Sequence, residues 1–272
     1  MAQQTCVEDF EVNFGDYVPL STLDWPGKAS VVFFLRDCPF RCPYCQNYSI
    51  LNGYELVESS QIKQLMETSR PFVSSVVISG GEPLQQEQAV SGIAQMARDM
   101  GLLVGIHTNG VYADVLEGLI EKELVDGVFI DVKASLENAD DYGRMIGYGS
   151  YPAVTISPAD AVNNVQRSIK LAAENKLLQE LRTTVLPGFM DKSEDIESIA
   201  SSIVKCAGRD VAYFIQQGET EHSMDRNLRD LSPLSQDELL SLGNTATSFL
   251  NNVCIRTGKN GTEKITSNQS VV

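Results

Sequence analysis

Long apolar runs, basic residues and histidines are scarce in this chain of 272 residues, and each scarcity narrows what it can be. The longest apolar run in the first strand-like segment is Val31 to Leu35, far short of the roughly 18 residues of a membrane span. The N-terminus reads Met1, Ala2, Gln3, Gln4, then Glu8 and Asp9, without the basic region and apolar stretch of a signal peptide. Neither export nor a membrane anchor is expected, so the expected location is cytoplasmic. Lys and Arg number 21 against 36 Asp and Glu, a net charge of −15. The basic residues are scattered, which argues against a nucleic-acid groove, because such grooves concentrate Lys and Arg against phosphate. No Pro/Gly/Ser linker, repeat or low-complexity segment interrupts the chain. One domain over residues 1–272 is expected, with an N-terminal extension 1–28, a core of about 29–252 and a C-terminal strand and tail 253–272.

What is present alternates. Apolar, β-branched runs at Ser30–Asp37, Ser74–Ser79, Leu102–Asn109, Gly127–Lys133, Leu181–Leu186 and Val211–Gln216 read as strands buried on both faces, as in parallel sheets. Between them, Val90, Ile93, Ala94, Ala97 and Met100 recur at helical spacing before a stop at Gly101, and Ile196, Ile199, Ala200, Ile203 and Val204 form a second stripe. Ser157 before Pro158 reads as a helix cap, and Ser235 with Glu238 as a capping box. Six strand–helix units suit this length better than a full eight-unit barrel of about 250 residues. The expected fold is therefore α/β, a partial (β/α)6 TIM-like barrel. Residues 10–29 read as an N-terminal strand or hairpin with turns at Gly15-Asp16 and Pro26-Gly27, and residues 135–156 as a long connection.

Six cysteines are present: Cys6, Cys38, Cys42, Cys45, Cys206 and Cys254. An even count invites disulfides, but a chain expected in the cytoplasm is expected to keep its thiols reduced. Cys38, Cys42 and Cys45 are spaced C-x3-C-x2-C directly after the first strand. Thiolates suit iron–sulfur clusters and zinc. A structural zinc site usually takes two ligand pairs, and no second pair is found. Three local thiolates can hold three irons of a [4Fe–4S] cube and leave the fourth open for chemistry. Cys6, Cys206 and Cys254 lack ligand spacing, and the last two are expected in the core. His107 stands at a strand end, supporting a site or simply satisfied in the fold, and His222 lies in a charged loop.

The cysteine motif, with Tyr44 as the aromatic before its last Cys, resembles the cluster-binding signature of the radical S-adenosylmethionine (SAM) superfamily. The resemblance implies that the open iron chelates SAM, and that one electron cleaves it to methionine and a hydrogen-abstracting 5′-deoxyadenosyl radical. Ser79-Gly80-Gly81-Glu82-Pro83 resembles the superfamily's glycine-glycine-glutamate-proline motif, in which glycines would let backbone carbonyls approach the methionine amino group. Asp131 and Lys133 share one face of a strand end, facing either SAM or a salt-bridged rim. Asp-Val-Lys is similar to the Asp-x-Lys of the glycyl-radical-enzyme activases, as are Pro19–Lys28, Thr108-Asn109-Gly110 and Arg182–Gly188 to motifs of that branch. Three positions depart from the branch. Gln46 stands where histidine is common, His107 where an aspartate contributes to a monovalent-cation site, and Gln217 where a histidine contacts SAM.

The expected ligands of a [4Fe–4S] cluster are thus Cys38, Cys42 and Cys45. The expected SAM contacts are Tyr44, Gln46, Gly80, Gly81, Glu82, Asn109, Asp131, Lys133, Arg182 and Gln217. The resemblance implies a backbone glycine of a partner glycyl radical enzyme, of the anaerobic ribonucleotide reductase type, as substrate, and a ferredoxin or flavodoxin as electron donor. One rival is a radical SAM enzyme acting on a small molecule or a tRNA base. A second, a non-catalytic electron-transfer or metal-binding module, leaves Gly80–Pro83 and the Asp131/Lys133 pair unexplained.

Overall fold

The computed structural model describes residues 9–266, which pack as two compact units. The first holds the chain through Cys38, Ser49–Thr108 and Asp114–Val128. Its strands are β1 (Glu11–Ser21), β2 (Ser30–Leu35), β3 (Leu56–Glu58), β4 (Ser75–Gly80) and β5 (Leu103–Thr108), with helices α1 (Ser59–Ser69), α2 (Glu87–Asp99) and most of α3 (Ala113–Glu121). The hydrogen-bonded order is β3-β1-β2-β4-β5. β2 and β4 run parallel from the pair Ser30/Ser75 to the pair Leu35/Gly80, and β4 is parallel to β5. Val31, Val32, Phe33, Val76, Val77, Ile78, Val104 and Ile106 are all fully buried, as near-continuous apolar strands covered on both faces should be. The only polar pair at the start of this ladder is satisfied internally, Ser30 Oγ lying 2.8 Å from Ser75 Oγ.

The antiparallel β1 corrects one sequence expectation. No turn forms at Gly15-Asp16; the strand runs through them as one eleven-residue element, with a register shift against β2 between Phe14 and Asp16. That is a β-bulge, and glycine suits it because a Cβ at Gly15 would stand 2.9 Å from the Phe34 carbonyl oxygen. The turn at Pro26-Gly27 does form, with Gly27 left-handed at φ +81 and Lys28 N–H donating to Trp25 O at 3.0 Å.

Strand β6 (Gly127–Asp131) begins in the first unit and ends in the second. The second unit holds Pro39–Tyr48, Asn109–Ala113 and the chain from Phe129. It continues through α4 (Ala139–Ile146), α5 (Pro158–Glu174), β7 (Leu178–Val185), α6 (Ser193–Ala207), β8 (Ala212–Gln217), α7 (Gln236–Thr247), β9 (Asn252–Thr257) and β10 (Gly261–Lys264). The order here is β6-β7-β8-β9-β10, with β7, β8 and β9 parallel and β10 antiparallel to β9. β9 adds one parallel strand after the six read from the sequence. Ser157 caps α5 by accepting from Asp160 N–H at 3.1 Å, and Ser235 with Glu238 closes the capping box of α7.

Two more expectations need correcting. Residues 135–156 are not a bare connection, because they carry α4, capped by Asn138 and ended by left-handed Gly147. Cys206 and Cys254 are half-buried rather than core residues, since Cys206 lies in the last turn of α6 and Cys254 on the face of β9 opposite the buried Val253 and Ile255. Cys6 lies outside the described residues. Among the described residues no helix is long and apolar enough to cross a membrane.

Candidate active site

In the first unit, the segment leaving β2 meets the segment leaving β4. Asp37 takes a left-handed conformation at φ 72, unusual for a residue with a side chain. Its carboxylate accepts from Cys38 N–H at 2.7 Å and from Gln85 Nε2 at 2.9 Å, which fastens the start of the cysteine segment. Its backbone is used as fully, the N–H donating to Ile50 O at 2.9 Å and the carbonyl accepting from Glu82 N–H at 2.8 Å.

The Gly80-Gly81 pair is demanded by this crossing. A Cβ on Gly80, at φ +128, would lie 2.1 Å from Leu35 O, and one on Gly81 would lie 2.0 Å from Asp37 O. The glycines thus permit a close approach of the backbone leaving β2. Glu82 follows, fully buried, its carboxylate accepting from Leu84 N–H at 3.0 Å and from Thr108 Oγ1 at 2.7 Å. It caps a short 3-10 turn and ties the end of β4 to the end of β5. His107 is likewise structural, with Nε2 2.8 Å from Asp24 O.

The second unit contains a half-buried charged chain beside two of the thiols. The β6 end places Asp131 and Lys133 on one face, and they pair directly at 2.9 Å. Asp131 also accepts from Arg182 Nε at 2.6 Å. Arg182 reaches Glu180 at 3.3 Å, two residues back on the same face of β7, and Glu180 takes both amino groups of Arg256 on β9 at 3.1 and 3.0 Å. The Arg256 guanidinium sits 4.4 Å from the Phe214 ring. Sequence reasoning found Asp131, Lys133 and Arg182 but missed Glu180 and Arg256. The alternation of charge at Glu180 and Arg182 on a strand interior was the available signal.

Burial would raise the Asp131 carboxyl, but Lys133 and Arg182 overcome it and hold the group well below the usual carboxylate range. Burial would lower the Lys133 ammonium, and Asp131 reverses that, holding it well above its ordinary value. Both therefore stay charged.

Lys133 Nζ stands 5.9 Å from the Tyr44 ring centroid, and that ring packs at 5.9 Å on Phe189. The backbone N–H of Cys45 donates to Cys42 O at 3.0 Å, setting the two cysteines one turn apart. Burial pushes the Cys42 thiol up to about 12 against the pull of Lys133, and Cys45 shifts the same way with the same opposition. Among the described residues no group of three or more His, Cys, Asp or Glu is gathered to hold a metal ion. The fit to an iron–sulfur cluster lies in the donor chemistry, thiols in a tight turn with a fixed cation beside them.

Of the other expected contacts, Asn109 is buried and accepts from Val111 N–H at 3.0 Å, while Gln46 is exposed. Gln217 uses its amide on the main chain, donating to Leu234 O at 2.6 Å and accepting from Gly258 N–H at 3.3 Å. His222 is solvated, 3.5 Å from Glu219.

The profile of the Radical SAM superfamily matches residues 32–202, well over half of the chain. The chain belongs to the radical SAM superfamily. Membership makes it a radical SAM enzyme, with the two cofactors of that family, a [4Fe–4S] cluster and S-adenosylmethionine. It is 36% identical over 249 residues to a Methanocaldococcus jannaschii protein named provisionally as a glycyl-radical enzyme activating enzyme, covering 91% of this chain and 97% of the other. It is 27% identical over 190 residues to the pyruvate formate-lyase-activating enzyme of Clostridium pasteurianum, covering 68% and 73%. A radical SAM methyltransferase from Sphaerobacter thermophilus matches in fold with a TM-score of 0.66, at 10% identity, over 87% of this chain and 68% of that one. At that identity the likeness shows the fold alone, and it is the partial barrel class expected from the sequence.

Proposed function

We propose that this radical SAM enzyme activates a glycyl radical enzyme by abstracting hydrogen from a backbone glycine of that partner. The observation that carries the reading is the 36% identity over nearly the whole length of both chains to the Methanocaldococcus protein. The anaerobic ribonucleotide reductase type is the proposed target, with ferredoxin or flavodoxin as donor, in the cytoplasm.

In this reading Cys38, Cys42 and Cys45 would hold the cluster, which would supply the electron for reductive cleavage of SAM. The protein's part is to orient and exclude. Tyr44 and Lys133 shield the buried Cys42 thiol from water, the Lys133 ammonium held in place by Asp131 at 2.9 Å. Arg182 holds Asp131 from its other side at 2.6 Å, so that neither charge swings freely. In the second unit Asn109 and Gln46 supply polar groups for SAM; the Gly80-Gly81 backbone is assigned to SAM from its motif. Glu82 and Gln217 bring no free side chain to it, their polar atoms being engaged within the protein.

Anaerobic reconstitution with dithionite and SAM should yield 5′-deoxyadenosine, and a Cys42→Ala variant should yield none. Incubation with a glycyl radical enzyme of the same host should then give a glycyl radical EPR doublet in that partner. Cleavage of SAM with no doublet on any such enzyme refutes the activase reading and leaves a small molecule or tRNA base as substrate.

A further inference from the structure

The connection between β6 and α5 has no part in the chemistry so far, yet it is built against the cysteine segment. Arg41 N–H donates to Ile146 O at 2.9 Å, at the last residue of α4. Gly147, left-handed at φ +81, approaches so closely that a Cβ there would lie 2.3 Å from Arg41 O. Arg41 directly precedes Cys42, so α4 is anchored beside that thiol.

One turn before this anchor, α4 carries Tyr142. The ring is fully buried, and its hydroxyl makes no hydrogen bond. The groups that act on it electrostatically are the Lys133 ammonium and main chain, the Cys42 thiol and the Asp131 carboxylate. The Lys133 main chain lies close by without completing a hydrogen bond. A buried hydroxyl without a partner is a liability, and phenylalanine would fill the same space without it. Tyr213 is also buried and unpartnered, but Thr183 is the only polar group bearing on it. Tyr142 differs in lying within electrostatic reach of Lys133, Asp131 and Cys42, and of the buried Tyr44 hydroxyl.

We propose that Tyr142 is a SAM-binding residue, its hydroxyl donating a hydrogen bond to an acceptor atom of SAM lodged beside Lys133 and Tyr44. This rests on the SAM contacts assigned above. It also gives the connection a role: α4 holds the cysteine turn on one side and supplies a ligand donor on the other. A donor left unsatisfied until its ligand arrives trades stability of the empty protein for affinity.

The test is equilibrium dialysis of SAM against the anaerobically reconstituted holoenzyme, with iron content and the melting temperature of the cluster-free protein measured alongside. Tyr142→Phe should weaken SAM binding about tenfold, which corresponds to about 1.4 kcal/mol. Its iron content should match wild type, and its melting temperature should equal or exceed it. Tyr213→Phe should leave SAM affinity unchanged. Wild-type affinity in Tyr142→Phe overturns the inference while leaving the SAM contacts standing, and loss of iron or earlier melting overturns it in favour of a packing role. A wild-type holoenzyme that does not bind SAM overturns the assigned contacts themselves.

Discussion

Replacing Gly81 with alanine tests whether the glycine motif is required by the protein's own backbone. The added Cβ would stand 2.0 Å from Asp37 O, inside normal contact distance by on the order of 1.5 Å. The obstacle is main chain, so no side chain can swing aside. Forcing the two segments apart should cost about 1–3 kcal/mol as overpacking. It also stretches the bond from Glu82 N–H to Asp37 O, now 2.8 Å, worth about 1 kcal/mol. The expected total is about 2–4 kcal/mol, a large share of a typical stability of about 5–15 kcal/mol. For a chain of this size that is a melting shift of roughly 4–15 °C. The control is Gly101→Ala at the end of α2, where φ is +73 and nothing lies within 4 Å of the new Cβ. Only left-handed strain of about 1–2 kcal/mol applies there. Urea unfolding of the cluster-free proteins, followed by circular dichroism, separates the two. A Gly81→Ala variant no less stable than Gly101→Ala would refute the argument, and would return the glycines to a purely ligand-facing role.

Three further outcomes follow from the buried charges and the caps. Glu180→Gln should destabilise by about 3 kcal/mol, because Arg182 and Arg256 lose the carboxylate between them in a setting where Glu180 is only 3% exposed; a urea midpoint within error of wild type counts against it. Asp131 is held below the ordinary value of about 3.9, so its stabilisation is complete above that pH and is lost as pH falls toward its folded-state value. Asp131→Asn should flatten the acid limb of a stability–pH profile below about pH 4, and an unchanged limb would place the acid sensitivity elsewhere. Ser157→Ala removes the acceptor for Asp160 N–H and should cost about 1 kcal/mol in thermal unfolding.

The six barrel strands were legible because burial on both faces leaves little room for polar residues, and Val31–Phe33 or Val76–Ile78 could hardly be anything else. Caps at Ser157 and Ser235 were legible for a local reason, since the acceptor and its donor lie three residues apart. Gly15 was misread because a turn and a bulge use the same residue; only the opposing Phe34 carbonyl decides between them. α4 was misread as loop because Tyr142, Met145 and Ile146 make a stripe only one turn deep, too short to register as periodicity. In the charged chain, Asp131 and Lys133 were legible from their spacing at a strand end. Residues that only complete a charge pair from another strand, such as Arg256 to Glu180, were not, because nothing in sequence ties positions 76 residues apart.

The distribution of charge resolves an apparent conflict between the chain and its site. A net charge of −15 would seem a poor setting for thiolates at Cys42 and Cys45. The acidic excess, however, does not reach the half-buried charged chain. There Lys133, Arg182 and Arg256 pair with Asp131 and Glu180, three positive charges to two negative along the chain. Both carboxylates are clamped on two sides, so neither can turn toward the thiols without breaking a second ion pair. Lys133 is clamped on one side only, and it is the group that most opposes the burial penalty at both Cys42 and Cys45. The arrangement therefore fixes the sign of the local field: Asp131 and Glu180 are spent holding cations in place, and the free end of the chain presents a cation to the thiols. Reversing the order, with the unpaired end acidic, would add repulsion to desolvation at Cys42 and leave a thiolate there without compensation.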